Sequence, residues 1–412
     1  MPVRAQGLAE SFGSSPNGQA NHVPGDNVFE TAVLTPSAES FGPNPNSGDT
    51  SRATIRHMLL AIASESGFKA LDRVKELRPL VAQAHDILRE LFESAGSAEG
   101  YLLGRARLAD SAAIGLLHIA SISSGIRGGS MVAPLAVIAV GGYGRKELAP
   151  GSDLDLLFLL PESSRAGAGG VAPATEACIS AVVASLWDLG FVVDHAARSV
   201  RECVELAKDD ATVLAGLVDR RFRWGGFGLF RSLDTDITAL LSGPDAGHWR
   251  DAVGDALSSA RRFAPLEMQA LDAEPDLKRG PGGLRDLQRA IWANGRASRR
   301  PMPLTQSSLI EAHRFLWLVR CHLHLLAGRA EDRLSLSLQP GVACRLGLDA
   351  PHKSAAPLLL DLFRYHTRNV LAAAGVAPRS RPRVHHWPEL TKRPPGTHKP
   401  RNGERTIDKA RI

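Results

Sequence analysis

Cysteine is scarce in this chain of 412 residues, and the four that occur show no paired spacing. Scattered thiols of this kind are typical of a reduced, cytoplasmic protein and argue against a disulfide framework or a zinc site. The chain also has no apolar run of membrane-spanning length, and its N-terminus lacks the charged and apolar regions of a secretory signal. We therefore predict a cytoplasmic protein without a membrane partner.

Excess positive charge is confined to the C-terminal stretch. Residues 376–412 contain ten Lys or Arg and three acidic residues, a surplus of seven that exceeds the +6 of the whole chain. Everything upstream is close to neutral, and a basic, Pro-rich tail is more often a solvated segment than a surface for phosphates. The charge distribution therefore argues against nucleic acid as the partner.

Composition divides the chain into five segments. Ser, Gly, Pro and Asn dominate the start, and Pro and Arg dominate the end. Between them, helical apolar spacing precedes a stretch with strand signals and returns after it. We predict an α+β fold with a disordered arm over 1–50, N-terminal helices over 51–130, a mixed sheet with helices over 131–235, a helical domain over 236–375 and a disordered basic tail over 376–412.

Short apolar runs predict the strands of that sheet. Residues 135–140 and 155–160 have the composition of buried strands. A third strand is predicted to begin at residues 191–193, just after a helix that ends at Gly190, and residues 217–222 are a candidate for a fourth. The first two runs flank the motif that carries the chemistry.

That motif combines a glycine pair with two carboxylates. Gly141 and Gly142 end the first strand, where backbone N–H groups can approach an anionic triphosphate without side chains in the way. Asp153 and Asp155 alternate along the second strand and so share one face, where a divalent cation would offset their repulsion. Hard oxygen ligands favour Mg²⁺ together with substrate phosphates. With the Ser152 hydroxyl as a further phosphate contact, the motif predicts metal-assisted phosphoryl chemistry.

Neither half of the motif is specific by itself. Gly-Gly-x-Gly alone is more often only a turn, and Asp-x-Asp alone is commonly a solvated strand edge. Both halves occur here in the expected order, with an apolar strand on each side. The combination is therefore far more specific than its parts.

Three blocks of the sequence resemble a known family. Residues 139–156 follow the pattern of the nucleotidyltransferase superfamily of DNA polymerase beta type: a hydrophobic residue, Gly-Gly or Gly-Ser, a spacer and Asp-x-Asp. Together with residues 280–288 and 324–334, they resemble the bacterial PII-uridylyltransferases, also called GlnD. The resemblance implies a nucleotidyltransferase sheet over 131–235 and a PII-uridylyltransferase-like helical domain over 236–375.

The resemblance also implies a reaction, the transfer of UMP from UTP to a tyrosine of the PII signalling protein with release of pyrophosphate. Asp153 and Asp155 would hold Mg²⁺, and Gly141, Gly142 and Ser152 would seat the triphosphate. Full-length relatives continue into an HD hydrolase domain that removes UMP and two ACT domains that sense glutamine. Neither is found in this sequence, so we expect a truncated transferase without removing activity.

A third carboxylate usually completes this superfamily's metal site from a later strand. Asp219 is the first candidate, since its surroundings resemble the family's Leu-Leu-Glu-Ala-Arg-Leu segment with Asp in place of Glu. Asp194 is the second, although the family tends to show Glu-Val-Gly-His at that place. The alternative for Asp219 is an ordinary exposed carboxylate paired with Arg220 or Arg221.

Other charged residues of the later blocks allow two interpretations. Arg285 could bind phosphate in a bidentate manner or form a structural salt bridge, and Lys278 and Arg329 share this ambiguity. His322 and His324 are two apart on a predicted helix and so cannot chelate one metal together. Neither Lys278 nor Arg329 is predicted to be catalytic.

Two other functions stay open. The chain could be a catalytically silent module that binds PII or nucleotide, or an adenylyltransferase that acts on another protein. Nothing in the residues themselves shows which base the site prefers. Only the resemblance favours uracil.

Overall fold

The computed structural model describes residues 74–123, 135–162, 171–257, 273–297, 306–348 and 355–374. The predicted arm, the first part of the predicted N-terminal helices and the basic tail lie outside these residues. Within them, helices surround one four-stranded mixed sheet, which confirms the predicted α+β class.

Two long helices precede the sheet. A 3-10 turn at Val74–Leu77 leads into α1 (Arg78–Ala95), and α2 (Ala98–Ser123) follows. Gly96 ends α1 in the left-handed region, with φ +66°, where glycine carries no steric penalty. Helical apolar spacing places Leu91 on the same stripe as Ala84, but Leu91 is 42% exposed, because the buried face of α1 is rotated towards Phe92.

The sheet has the strand order β3-β2-β1-β4. The strands are β1 (Ala136–Ala139), β2 (Leu154–Leu160), β3 (Val193–Ser199) and β4 (Arg221–Gly225). β1 pairs antiparallel with β2 and β4, whereas β2 and β3 run parallel. Every residue of β1 is buried, as expected for a strand that has partners on both sides and helices on both faces.

Short helices connect the strands. They are α3 (Gly141–Gly144), α4 (Pro173–Asp188), α5 (Val200–Asp209) and α6 (Ala211–Val218). Gly190 follows α4 with φ +92°, in agreement with the predicted stop. The candidate fourth strand was placed too early, because residues 217–218 still belong to α6 and β4 begins at Arg221.

The second half of the described chain is helical. Its helices are α7 (Phe227–Ser242), α8 (Ala246–Leu257), α9 (Leu284–Ala297), α10 (Gln306–Ala327), α11 (Gln339–Arg345) and α12 (Ala355–Ala373). Helical spacing puts four apolar residues of α10 on one stripe, of which Leu316, Val319 and Leu323 are buried and Leu326 is partly buried. α7 runs through the predicted boundary at residue 235 and packs on the sheet.

Alternation along β1 places the sheet between two helical layers. Val137 and Ala139 join the core that α2 and α4 cover, while Ala136 and Ile138 join the core under α5 to α8. A third core holds α9 to α12 together and includes Ala149, from the segment just before the paired carboxylates. Across the described part of the chain, no helix has both the length and the apolar character that crossing a membrane requires.

Candidate functional site

The glycine turn lies directly against one of the paired carboxylates. β1 ends beside the start of β2, where Ala139 pairs with Leu156. The next turn contains Gly141 with φ +56°, and a methyl group on this residue would lie 2.8 Å from Oδ2 of Asp155. A side chain here would both strain the backbone and press on the carboxylate. The structure therefore brings Gly141 and Asp155 together.

Three aspartates gather at this end of the sheet. Asp155 is the second residue of β2, and its partner in the parallel register is Asp194 of β3. Asp153 lies one residue before β2 and is exposed, while the intervening Leu154 is buried. Burial raises the pKa of Asp155 to about 6, and the negative charges of Asp153 and Asp194 add to the increase. This mutual repulsion is what a bound cation would relieve.

The donor set suits Mg²⁺ better than a metal that needs a ready-made cage. No three His, Cys, Asp or Glu side chains within the described ranges are arranged closely enough to form a complete metal site. Mg²⁺ commonly takes only one or two protein carboxylates and completes its shell with water and substrate phosphates. Asp153 and Asp155, with Asp194 beside them, fit that mode of binding.

Asp219 occupies a different environment. It caps the C-terminus of α6, and its Oδ2 accepts hydrogen bonds from Nη1 of Arg145 at 2.9 Å and from Nε2 of Gln288 at 2.8 Å. The charges that raise the pKa of Asp155 come from Asp153 and Asp194. Asp194 is thus the strand partner of Asp155, whereas Asp219 is bonded to Arg145 and Gln288, and the roles of both as metal ligands stay predictions.

Arg145 links the glycine segment to the helical half of the chain. Its Nε donates to Glu147 at 2.6 Å, and Glu147 also contacts Nε2 of His313 at 3.0 Å. Burial alone would raise the pKa of Glu147, but the charge of Arg145 and the hydrogen bond from His313 outweigh it and bring the pKa to about 2. The charge of Arg145 also offsets part of the increase in the pKa of Asp155. Arg145 thus adds positive charge close to the aspartates.

The other glycines of the motif have different tasks. A methyl group on Gly142 would meet its nearest neighbour at 3.5 Å, an ordinary contact. On Gly144 it would lie 1.8 Å from the backbone oxygen of Asp219, so α3 can pack there only without a side chain. Gly144 was not among the predicted site residues, although the third glycine of Gly-Gly-x-Gly was a signal for it.

The Ser152 hydroxyl makes no hydrogen bond to any described residue, which leaves it available to a ligand.

A second contact joins the helical half to the carboxylate segment. The N–H of Gly151 donates to Nδ1 of His324 at 3.1 Å, and Nε2 of His324 lies 3.4 Å from Oδ1 of Asp332. His322 instead stacks near Phe92, with ring centroids 4.6 Å apart. The two histidines therefore contact different parts of the chain. The contact of His324 with Gly151 was not predicted.

A mixed sheet with a glycine turn set against adjacent strand carboxylates defines a nucleotidyltransferase-like fold. Residues 257–374 match the family model described as GlnD PII-uridylyltransferase. This match and the relatives below show that the chain is similar to the GlnD uridylyltransferases, which confirms the resemblance of its motifs.

The relatives are described as bifunctional uridylyltransferase/uridylyl-removing enzymes. The protein of Cereibacter sphaeroides is 32% identical over 363 residues, which cover 84% of this chain and 36% of the relative. That of Azospirillum brasilense is 34% identical over 294 residues, covering 66% and 30%, and that of Rhodospirillum rubrum is 37% identical over 227 residues, covering 52% and 23%. The chain therefore spans about a third or less of the length of these relatives.

Proposed function

We propose that this chain transfers UMP from UTP to a tyrosine of a PII-type signalling protein in a Mg²⁺-dependent reaction that releases pyrophosphate. The observation that carries the proposal is the contact between the glycine turn at Gly141 and the carboxylate of Asp155, with Asp153 and Asp194 alongside. The names of the relatives support uridylyl as the transferred group. A cytoplasmic location is part of the same proposal.

In this reaction the carboxylates hold the metal and the glycine turn makes room for phosphates. Asp153 and Asp155 would bind Mg²⁺, which when bound offsets the charge that develops at the phosphoryl group and the leaving pyrophosphate. Gly141 leaves the backbone open towards Asp155, Gly142 would add a second position without a side chain, and the Ser152 hydroxyl is free to donate to a phosphate oxygen. The residues therefore divide into a metal-holding pair and a phosphate-seating group.

The third metal carboxylate is a choice between Asp194 and Asp219. Asp194 pairs with Asp155 across the parallel strands, whereas Asp219 is bonded to Arg145 and Gln288. We propose Asp194 for the metal and a positioning role for Asp219 through Arg145. The Asp194→Asn variant should then require more Mg²⁺ for half-maximal transfer, and Asp219→Asn should change the Mg²⁺ requirement much less. A larger increase in the Mg²⁺ requirement for Asp219→Asn than for Asp194→Asn would assign the metal to Asp219.

The direct test measures transfer of label from α-labelled UTP to purified PII protein in the presence of Mg²⁺. Wild-type chain should label PII, and Asp153→Asn combined with Asp155→Asn should abolish labelling. Asp251→Asn, which changes an exposed aspartate of α8, is the matched control and should behave like wild type. Labelling that survives the double substitution would rule out this site. Competition between UTP and ATP decides between uridylylation and the alternative adenylyl transfer.

One observation favours a second candidate, a binding module without turnover. The described part of the chain contains no ready-made group of three metal-binding side chains, and the third carboxylate depends on the choice above. A silent module would bind UTP or PII in calorimetry while giving no labelled PII. Uridylyl removal is named for relatives of which this chain spans 36% or less, and we propose transfer alone here.

A further inference from the structure

Lys278 is held on a well-defined turn of the helical half. Oδ1 of Asp276 accepts hydrogen bonds from the backbone N–H groups of Lys278 at 2.8 Å and Arg279 at 2.6 Å. Leu277 between them is fully buried, and its N–H donates to the backbone oxygen of Asp332 at 2.7 Å. These contacts fix the backbone from which the Lys278 side chain extends.

The loop that meets this turn also packs against the segment that leads into the paired carboxylates. A methyl group on Gly151 would lie 2.4 Å from the backbone nitrogen of Ala330, so the two segments touch at their backbones. The hydrogen bond from Gly151 to His324, on the helix that precedes this loop, adds a second contact to the same segment. The Lys278 turn and the Asp153 segment therefore belong to one packed unit, although 125 positions separate the two residues in the sequence.

The Lys278 ammonium has little to bind within this unit. Its nearest carboxylate oxygen, Oδ2 of Asp332, is 4.0 Å away, and the other oxygen of Asp332 already accepts from Nε of Arg320 at 2.7 Å. Across the described ranges, no acceptor lies within hydrogen-bond distance of the ammonium, while the side chain is only 35% exposed. Beyond the distant ion pair with Asp332, this half-buried ammonium therefore has hydrogen-bond donors left for a ligand that carries negatively charged oxygens.

The position of the Lys278 charge indicates which chemical group it would bind. Lys278 interacts electrostatically with Asp153, and its charge lowers the pKa of Asp155. The 4.0 Å approach of Lys278 to Asp332 and the close backbones of Gly151 and Ala330 place this charge, on the helical half, near the segment of the carboxylates that would hold Mg²⁺. Lysine binds phosphate groups as a compact point charge, without the planar geometry that arginine imposes.

We propose that Lys278 binds the phosphate tail of the nucleoside triphosphate at the Asp153 and Asp155 site, so that the helical half completes the substrate site of the sheet. This inference rests on the proposed function, since it assumes a triphosphate at these carboxylates. A merely structural role, in which Lys278 only offsets the charge of the aspartates, makes different predictions for ligands with and without the tail.

Calorimetric titration of the full chain with UTP and with UMP, each with Mg²⁺, separates these roles. Lys278→Met keeps much of the side-chain length and removes the charge, and we expect it to weaken UTP binding about tenfold or more, a change of about 1.4 kcal/mol per factor of ten. UMP binding should change by less than about twofold, since UMP lacks the tail, and Lys278→Arg should restore part of the UTP affinity. Arg279→Met removes one charge from the same turn at an exposed position and should leave UTP binding unchanged.

The outcomes distinguish this inference from the proposed function. UTP binding that equals wild type in Lys278→Met, or equal losses for UTP and UMP, would overturn the role of Lys278 alone. Failure of the wild-type chain to bind UTP would overturn both. If Lys278→Met folds poorly, amine acylation of the wild-type chain replaces it: UTP should slow modification of Lys278 and UMP should not, while exposed Lys208 is the internal control. Equal modification of Lys278 with and without UTP would refute the inference.

Discussion

Asp155→Asn should stabilise the metal-free protein while removing its activity. Asp155 lies against Gly141 and carries a negative charge near those of Asp153 and Asp194. An asparagine has nearly the same shape and no charge, so it removes the repulsion and keeps the packing. Residues that bind a ligand are often unfavourable for the fold in its absence, and this carboxylate is expected to be such a case.

The size of this gain in the free energy of unfolding follows from the pKa of Asp155. Burial and the neighbouring charges raise this pKa from 3.8 to about 6. Since each pKa unit corresponds to about 1.36 kcal/mol, the ionised carboxylate costs the folded state up to about 3 kcal/mol. The side chain is partly exposed, and solvent screening reduces the expected gain on substitution to about 1 to 2 kcal/mol.

The stability difference between Asp155→Asn and the wild-type chain depends on pH. Below the unfolded pKa of 3.8 the carboxyl is protonated in both states, so the substitution should change the free energy of unfolding little. As pH rises through the folded pKa of about 6, the wild-type chain loses stability relative to Asp155→Asn, and the difference is complete above it. The advantage of the variant should therefore grow between about pH 4 and pH 7 and then level off.

Urea denaturation in EDTA at several pH values measures this difference. Asp251→Asn, at an exposed position of α8, serves as the control for a general effect of removing one negative charge. Added Mg²⁺ should stabilise the wild-type chain more than Asp155→Asn, because a cation that binds the native state raises its stability. An advantage of the variant that is independent of pH, or a loss of stability at pH 8, would refute the electrostatic account of this site.

Three further substitutions test the packing and charge around the glycine segment. Arg145→Met should cost about 3 kcal/mol in the free energy of unfolding, because it leaves Glu147 and Asp219 without their cation; adding Asp219→Asn should recover part of that loss in the same denaturation assay. Gly144→Ala should cost about 3 kcal/mol or more, because its methyl group meets a backbone oxygen at 1.8 Å, whereas Gly142→Ala should cost less than about 1 kcal/mol. Glu147→Gln should flatten the loss of stability on acidification from pH 4.5 to about 2, the range over which the depressed pKa of Glu147 makes its ion pair disappear.

The central motif could be predicted because its signals are local. The apolar run over residues 136–139 forms a buried strand, and the run over residues 155–160 lies within β2, which begins one residue after Asp153. Gly190 ended a helix as glycine commonly does. Each of these predictions needed only a few neighbouring residues, so tertiary packing had little opportunity to alter them.

The contacts around the motif could not be predicted because they join distant parts of the chain. Gln288 and Asp219 meet across 69 positions, and His324 and Gly151 across 173. Neither residue type nor spacing identifies such partners in a single sequence. The start of the fourth strand was misplaced for a related reason: residues 217–218 are apolar enough for a strand, and only packing on the sheet decides that they continue a helix.

The two candidate third carboxylates differ in what already neutralises them. Asp219 shares the cation of Arg145 with Glu147 and also accepts from Gln288, so moving it to a metal would leave a buried guanidinium with fewer partners, at a cost in desolvation. Asp194 is exposed, and its described surroundings add negative charge through Asp155. A cation gains more from the unneutralised carboxylate than from the one that is already paired. By the same argument, Arg145 would remain in place if Mg²⁺ and a triphosphate bind as proposed, and the Mg²⁺ requirement of Asp194→Asn would be the more sensitive measure of where the metal lies.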